Sequence, residues 1–226
     1  MPQSQVHPFT FNIIEENTYI IADNATRQAA IVDCGCMNAR EEAHLQDFIT
    51  EHNLTPTLLI FTHLHFDHTW GLNWAASRYG LTPMAHPLET EVTPKASRQF
   101  ALFGVQSGFT QEQAAEPQYS FIREGDTLTL GSTTLHVLFV PGHTAGHVAF
   151  YNPADGYVFT GDALFAGNIG RADLEGGDLK TLISHIKQNL LTLPADTVVY
   201  PGHGPATTIG AEAAGNPYLQ PSFVVA

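Results

Sequence analysis

Residues 62–68 of this 226-residue chain read Thr-His-Leu-His-Phe-Asp-His and contain the densest group of chemically active side chains. Four of them can bind a metal ion: His63, His65, Asp67 and His68. The apolar residues 58–61 that precede them are typical of a buried strand. Buried polar groups without partners are costly, so a protein core would not collect these side chains for packing alone. A divalent cation would be a suitable partner, because imidazole and carboxylate are common metal ligands.

Three further segments end in a metal-capable side chain beside a glycine. They read Pro141-Gly142-His143, Thr160-Gly161-Asp162 and Pro201-Gly202-His203, and each follows a β-rich run. Glycine allows the backbone to turn sharply and to approach a bound group closely. With the first cluster, these segments offer seven candidate ligands, which would hold two metal ions if the fold gathered them at one end.

The elements that must position these ligands form two similar series. In the first half, strands are predicted at residues 11–14, 18–22, 29–33 and 58–62, with a helix over 38–53. In the second half, one hairpin is predicted from strands at 127–130 and 133–140, and a second from strands at 148–151 and 157–160. A helix over 179–190, capped by Asp178, and a strand at 197–200 follow. Because each series delivers ligands at strand ends, we expect two packed β-sheets with helices outside, as one domain over residues 1–226.

The middle segment, residues 83–120, has a different composition, with prolines that interrupt regular structure. We expect short helices there, with an apolar surface made by Phe100, Leu102, Phe103 and Phe109. This surface either covers the site as a flap or packs on the main core as a satellite cluster.

The composition argues against several classes of function. The formal net charge is −13 and only nine residues are Lys or Arg, whereas binding to a nucleic-acid backbone needs clustered basic residues. No stretch approaches the roughly 20 apolar residues needed to span a membrane, and residues 1–10 show no secretory signal pattern. We therefore expect a cytoplasmic protein that binds neither nucleic acid nor membrane. Cys34 and Cys36, two residues apart, are interpreted as small packing residues in a tight loop rather than as a redox or metal pair.

The pattern H-x-H-x-D-H, followed by His143, Asp162 and His203 in separate strand-end loops, resembles the metallo-β-lactamase superfamily over nearly the whole chain. This resemblance implies an α/β (α+β) fold, the four-layer αββα sandwich. It also implies one metal held by His63, His65 and His143, a second held by Asp67, His68 and His203, and Asp162 bridging both ions. Asp67 could ligate metal, orient water or do both, and we favour ligation with a share in orienting. His147 fits a supporting or packing position better than a ligand.

Residues 160–173 are similar to the glyoxalase II and persulfide dioxygenase groups. Residues 202–210 and 216–219 are similar to short, single-domain bacterial proteins of the glyoxalase II (hydroxyacylglutathione hydrolase) type. The implied reaction is hydrolysis of S-lactoylglutathione, or of a related 2-hydroxyacyl thioester, to the acid and free thiol by a metal-bound hydroxide. The implied cofactors are two divalent ions, with Zn²⁺ as the default and Fe or Mn as alternatives. The implied partner is a small thioester substrate.

Other chemistries remain open at this point. The Gly170-Arg171-x-Asp173 element is shared with glutathione persulfide (sulfur) dioxygenases, which use one iron, and another ester or lactone hydrolase is a third alternative. Arg171 either anchors a substrate carboxylate or forms a structural pair with Asp173. The C-terminal domain that supplies basic residues for glutathione in longer glyoxalase II enzymes is not seen in this sequence.

Overall fold

Two six-stranded β-sheets form the centre of the protein. The structure is a computed structural model and describes residues 2–95, 98–99 and 115–224. The first sheet contains β1 (Ser4–Phe11), β2 (Glu16–Asp23), β3 (Gln28–Val32), β4 (Thr55–Ile60), β5 (Met84–Ala85) and β6 (Ser120–Phe121), in that order. The second contains β7 (Thr127–Leu130), β8 (Thr133–Phe139), β9 (Val148–Asn152), β10 (Tyr157–Gly161), β13 (Val198–Pro201) and β14 (Thr207–Thr208). Its order is β14-β13-β10-β9-β8-β7, and β11 (Leu164–Phe165) pairs with β12 (Asn168–Ile169) as a separate hairpin.

Six α-helices occur in the described residues, and a side chain caps the N-terminus of four of them. They are α1 (Ala39–Glu51), α2 (Phe66–Thr69), α3 (Leu72–Tyr79), α4 (Pro87–Glu91), α5 (Leu179–His185) and α6 (Ile209–Gly215). A π-helical turn, Ile186–Leu190, extends α5, and a 3₁₀ turn covers Pro217–Leu219. The side chain of Asn38 accepts the N–H groups of Arg40 and Glu41, and Asp178 accepts that of Thr181 at 2.7 Å. The helices predicted over 38–53 and 179–190 are thus confirmed.

Three apolar clusters define four layers. Alternate residues of a strand face opposite sides of its sheet, and β3 shows this directly: Ile31 packs in one cluster and Val32 in another. The outer cluster of the first sheet includes Leu45 and Ile49 of α1, the central cluster joins the two sheets, and the third packs Leu182 of α5 against the second sheet. This arrangement is the αββα sandwich, so the predicted fold class is confirmed.

The strand directions bring several carboxyl ends to one edge of the sandwich. In the first sheet, β3, β4, β5 and β6 run parallel. In the second, β10 is parallel to β13, and β9 is antiparallel to both β8 and β10. The loops that follow β4, β8, β10 and β13 therefore leave the sheets at the same end, and these loops carry the candidate ligands.

The first predicted strand was wrong. Residues 11–14 were expected to be extended, but β1 ends at Phe11 and residues 12–15 form a turn in which Asn12 and Glu15 have φ angles of 54° and 58°. The β-branched Ile13 and Ile14 suggested a strand, yet both are exposed, at 67% and 41%. The apolar residues proposed as a flap, Phe100, Leu102, Phe103 and Phe109, lie outside the described residues. Within the described residues, no helix is both long and apolar enough to cross a bilayer.

Candidate metal centre

All seven candidate ligands meet at the strand ends. The donor atoms of His63, His65 and His143 lie within 4.8 Å of one another, and His143 Nε2 is 2.9 Å from His65 Nδ1. A second set with the same spacing consists of Asp67, His68 and His203, and six of the seven side chains are buried, with His203 the exception. The structure therefore brings together the members of each trio that the sequence resemblance implies. It also groups His63 with His68 and Asp162 at the same spacing, so the division of the ligands between two ions stays a prediction.

Asp162 lies between the two trios. Its Oδ1 is 3.3 Å from His68 Nε2, and its Oδ2 is 3.6 Å from both His143 Nε2 and His203 Nε2. One carboxylate thus faces members of both sets. The His203 Nε2 atom also lies 3.2 Å from Asp67 Oδ2, which closes the second trio.

Unsatisfied buried atoms show that the centre fits metal ions. His63 Nε2, His68 Nε2 and Asp162 Oδ1 are all buried and make no hydrogen bond within the described residues. Buried polar atoms without partners are rare and each needs an explanation. Imidazole nitrogens and a carboxylate oxygen that converge in this way are suitable ligands for two divalent cations, and coordination would satisfy all three atoms.

Hydrogen bonds from the outer ring nitrogens orient three of the histidines. His143 Nδ1 lies 2.7 Å from the carbonyl oxygen of Arg171, and His203 Nδ1 lies 3.3 Å from that of Glu15. His68 Nδ1 is 3.0 Å from Asp33 Oδ2. A proton on Nδ1 in each ring leaves Nε2 with its lone pair directed into the centre, which is the arrangement that metal-binding histidines usually show.

The pKa shifts favour the ligand forms of His63, His65 and Asp162, whereas nearby carboxylates outweigh burial and raise the pKa of His68 and His203, from which a bound metal would have to displace a proton. Burial, together with neighbouring imidazoles, lowers the pKa of His63 well below its usual value, and burial and His143 lower that of His65 to about 3. These rings are therefore neutral near pH 7 and keep a lone pair for coordination. Burial alone would raise the pKa of Asp162, but the nearby His68, His143 and His203 outweigh it and lower the pKa, so the carboxylate is ionised.

A buried glutamate that the sequence analysis missed connects two ligand-bearing loops. Glu89 of α4 is 1% exposed. Its Oε2 accepts the N–H of Leu64 at 2.8 Å and the hydroxyl of Thr93 at 2.9 Å, while its Oε1 accepts the hydroxyl of Thr144 at 2.5 Å and the N–H of Gly146 at 2.9 Å. Glu89 therefore fixes the loop of His63 and His65 to the loop of His143. No local pattern around Glu89 indicates this role.

The loop that carries His203 is held by Asn17 and requires a glycine. The Asn17 N–H donates to Gly202 O at 2.7 Å, and its side-chain amide donates to Pro201 O at 3.1 Å and to Gly204 O at 2.8 Å. A Cβ atom on Gly202 would lie 2.2 Å from Asp162 Oδ1. The expectation that glycine permits close approach is thus met at Gly202, whereas Asn17 was missed because its partners are nearly two hundred residues away.

The remaining predicted positions are placed as follows. Arg171 lies beside the centre and forms two hydrogen bonds with Asp173, of 2.8 and 2.7 Å, which lower the pKa of Asp173 to about 2. His147 is buried and its Nε2 accepts the N–H of Asp162 at 3.1 Å, which is a supporting position. Cys34 and Cys36 are both reduced and pack in the outer apolar cluster of the first sheet.

An αββα sandwich with histidines and aspartates gathered at its strand ends defines a class of metallo-hydrolases. The sequence profile of the Metallo-beta-lactamase superfamily matches residues 14–203, and the chain belongs to that superfamily. It is 36% identical over 208 residues to the probable metallo-hydrolase YqgX of Bacillus subtilis, covering 91% of this chain and 93% of the relative. It is 34% identical over 209 residues to the hydroxyacylglutathione hydrolase GloC of Haemophilus influenzae, covering 91% and 93%.

Solved structures show the same architecture. The chain is similar to BLEG-1, described as a B3 metallo-beta-lactamase, with a TM-score of 0.84, 32% identity and coverage of 96% of this chain and 100% of that one. It is similar to TTHA1623 in a di-iron-bound form, with a TM-score of 0.81, 34% identity and coverage of 94% and 100%. It is also similar to ETHE1 from Myxococcus xanthus, with a TM-score of 0.75, 27% identity and coverage of 95% and 84%.

Proposed function

We propose that this metallo-hydrolase cleaves S-lactoylglutathione, or a related 2-hydroxyacyl thioester, to the acid and the free thiol. The observation that carries the proposal is the position of Asp162 between two trios of ligands, at a cavity of about 630 Å³ that opens to the surface. Six ligands around one shared carboxylate suit two ions. The relative GloC of Haemophilus influenzae, named as a hydroxyacylglutathione hydrolase, supports this choice of substrate.

The residues of the chain have separate parts in this reaction. Two bound cations would lower the pKa of a shared water toward neutrality and polarise the carbonyl of the substrate. His63, His65 and His143 would hold one ion, Asp67, His68 and His203 the other, and Asp162 both. Asp67 Oδ2, 3.2 Å from His203 Nε2, would also help to orient the attacking water. Arg171 lines the cavity beside Asp162 and is our candidate for contact with the substrate.

A thioester suits this centre better than an amide does. A thiolate is a good leaving group without protonation, because the pKa of a thiol is about 8.5. An amine must be protonated as it leaves, which needs a general acid. Among the described residues that line the cavity, Asp162 and Asp173 have lowered pKa values, so neither carboxyl supplies such an acid near pH 7. His203, whose pKa is raised, would be occupied as a metal ligand. We propose zinc as the metal, with iron or manganese as alternatives. Of these two alternatives, the di-iron-bound structure of TTHA1623 favours iron.

The second candidate function is that of a glutathione persulfide dioxygenase with one iron. The loop from Gly170 to Asp173 resembles that class, and the similarity to the ETHE1 structure covers nearly all of this chain. We propose the cytoplasm as the compartment for either reaction, where thiols such as Cys34 and Cys36 stay reduced.

The deciding experiment compares activities and counts metal in the same preparation. Protein loaded in turn with zinc, iron or manganese is assayed for thiol release from S-lactoylglutathione, for oxygen consumption with glutathione persulfide and for opening of a β-lactam ring. We expect thiol release and about two ions per chain. One iron with oxygen consumption would support the dioxygenase instead, and lactam cleavage without thiol release would refute the thioesterase.

The matched variants are Asp162→Ala and Asp196→Ala, of which the second alters an exposed aspartate. Asp162→Ala is expected to abolish thiol release and to reduce the metal content, because both trios lose their shared carboxylate. Asp196→Ala should retain both. Full activity of folded Asp162→Ala would contradict the bridging role.

A further inference from the structure

The cavity beside the metal centre has mostly apolar walls. It measures about 630 Å³, and Asp162 and His203 mark the side where it meets the centre. The apolar side chains that line it are Ile14, Phe165, Ile169, Ala172, Leu179 and Tyr218. A substrate that reaches Asp162 through this cavity therefore lies against hydrocarbon over much of its length.

Ile14, one of these lining residues, belongs to an exposed turn at the mouth of the cavity and is preceded in that turn by Ile13. Ile13 and Ile14 are 67% and 41% exposed, and they are two of only four large apolar side chains that are exposed among the described residues. Neighbouring residues of this turn take part in the site, since Asn12 donates to Asp67 O at 2.9 Å and Glu15 O lies 3.3 Å from His203 Nδ1. Exposed apolar side chains at the rim of a cavity are typical of a surface that an apolar ligand covers.

The basic residue of the cavity is already paired. Among the described residues that line it, Arg171 is the only Lys or Arg. Both hydrogen bonds from its guanidinium go to the carboxylate of Asp173, which also lines the cavity. The pair presents no net charge to a ligand, so an anionic group that reached Arg171 would have to displace a bidentate partner or lie close to a carboxylate.

We propose that the part of the substrate in this cavity, the thiol portion of the thioester, is apolar and uncharged, and that Asp173 determines this by neutralising Arg171. The inference rests on the proposed hydrolysis of 2-hydroxyacyl thioesters at the metal centre. It identifies the preferred substrates as lactoyl-type esters of neutral, apolar thiols. S-Lactoylglutathione, whose thiol portion carries two carboxylates and one ammonium group, is then expected to be cleaved at the same centre with a lower kcat/KM.

The experiment compares two thioesters that share one acyl group. These are S-lactoylglutathione and the lactoyl thioester of hexanethiol, and metal-loaded protein is assayed with each for thiol release. Burying the hexyl chain should give the neutral substrate at least about a tenfold higher kcat/KM, since each buried methylene contributes appreciably. Equal or higher kcat/KM for S-lactoylglutathione would overturn the inference while leaving the thioesterase proposal intact. Cleavage of neither thioester would overturn both.

Two charge-matched variants test Asp173. Asp173→Asn frees Arg171 to contact an anionic substrate. It should raise kcat/KM for S-lactoylglutathione about threefold, because an exposed ion pair has only a small effect, and it should give no gain for the hexyl thioester. The control is Glu175→Gln, which removes the same charge two residues away, where the carboxylate pairs with Arg98 at 3.3 Å. It should change kcat/KM for neither substrate. An equal rise for both substrates in Asp173→Asn, or the same selective rise in Glu175→Gln, would refute the specific role of Asp173.

The apolar wall is tested separately with Phe165→Ser. Phe165 lines the cavity and is half-buried, so a smaller polar side chain should lower kcat/KM for the hexyl thioester about fivefold. The value for S-lactoylglutathione should fall less, so that the ratio of the two values shifts toward S-lactoylglutathione. A parallel loss for both substrates would show that Phe165 does not select for apolar thiols, which counts against the inference.

Discussion

Glu89→Gln is the substitution that tests most directly how the metal centre is held. Each carboxylate oxygen of Glu89 accepts one backbone N–H, from Leu64 on Oε2 and from Gly146 on Oε1. A backbone N–H can only donate. Whichever way the glutamine amide is turned, its NH₂ group therefore faces a backbone N–H, and one buried donor is left without an acceptor.

The magnitude follows from the number of groups affected. The hydroxyls of Thr93 and Thr144 can rotate to accept from the new NH₂, so the main loss is one hydrogen bond and one unsatisfied buried N–H. Together these cost about 2–4 kcal/mol, a large part of the 5–15 kcal/mol typical of a domain. Because the two loops carry His63, His65 and His143, we also expect metal affinity to fall by roughly 10–100-fold.

Urea unfolding and metal titration measure these two effects. The control is Glu91→Gln in the same helix, an exposed position where the change should stay within about 0.5 kcal/mol. The urea midpoint of Glu89→Gln should fall with an unchanged slope. If Glu89→Gln were as stable as Glu91→Gln and bound metal equally well, the argument that Glu89 fixes the two loops would be refuted.

Three further predictions concern other parts of the molecule. Asp23 accepts five hydrogen bonds, from Thr26, Ser132 and Thr133, which outweigh the effect of burial and lower its pKa. Asp23→Asn should therefore lower the free energy of unfolding by about 2–4 kcal/mol near pH 7. A carboxyl whose pKa is lower in the folded state stabilises that state fully at pH values above its unfolded pKa of about 3.9. The difference in free energy of unfolding between the unmodified protein and Asp23→Asn should therefore shrink as the pH falls below that value, which urea unfolding measures. Asn17→Ala removes two hydrogen bonds to the His203 loop and should reduce the metal content from about two ions toward one, measured by elemental analysis, whereas the exposed Asn24→Ala should not. Removal of the metal from loaded protein by a chelator should lower the free energy of unfolding by roughly 3–4 kcal/mol if the metal was present at about 100–1,000 times its Kd. An unchanged midpoint of thermal unfolding would contradict tight binding of metal by the folded state.

Local sequence patterns predicted much of the architecture. Apolar periodicity predicted the helices over 38–53 and 179–190, and Asp178 was predicted as the cap of the second, because capping depends on side chains next to the helix end. The cap that Asn38 provides for the first helix was not predicted. The same reasoning failed at Ile13 and Ile14, where β-branched residues form an exposed turn rather than a strand. Strand propensity reflects packing on a pleated surface, and nothing local shows that this turn lies at the mouth of a cavity.

The sequence by itself determined the seven candidate ligands, since each follows a recognisable strand and most stand beside a glycine or another histidine. Only the tertiary structure decided how they are held. Glu89 reaches Leu64 and Gly146 across 25 and 57 residues, and Asn17 reaches Gly204 across 187. The pairing of Arg171 with Asp173 was foreseen as one of two alternatives, but the apolar cavity around the pair was not. Hydrogen-bond partners and cavity walls are set by how distant segments pack, and short-range periodicity carries no information about that packing.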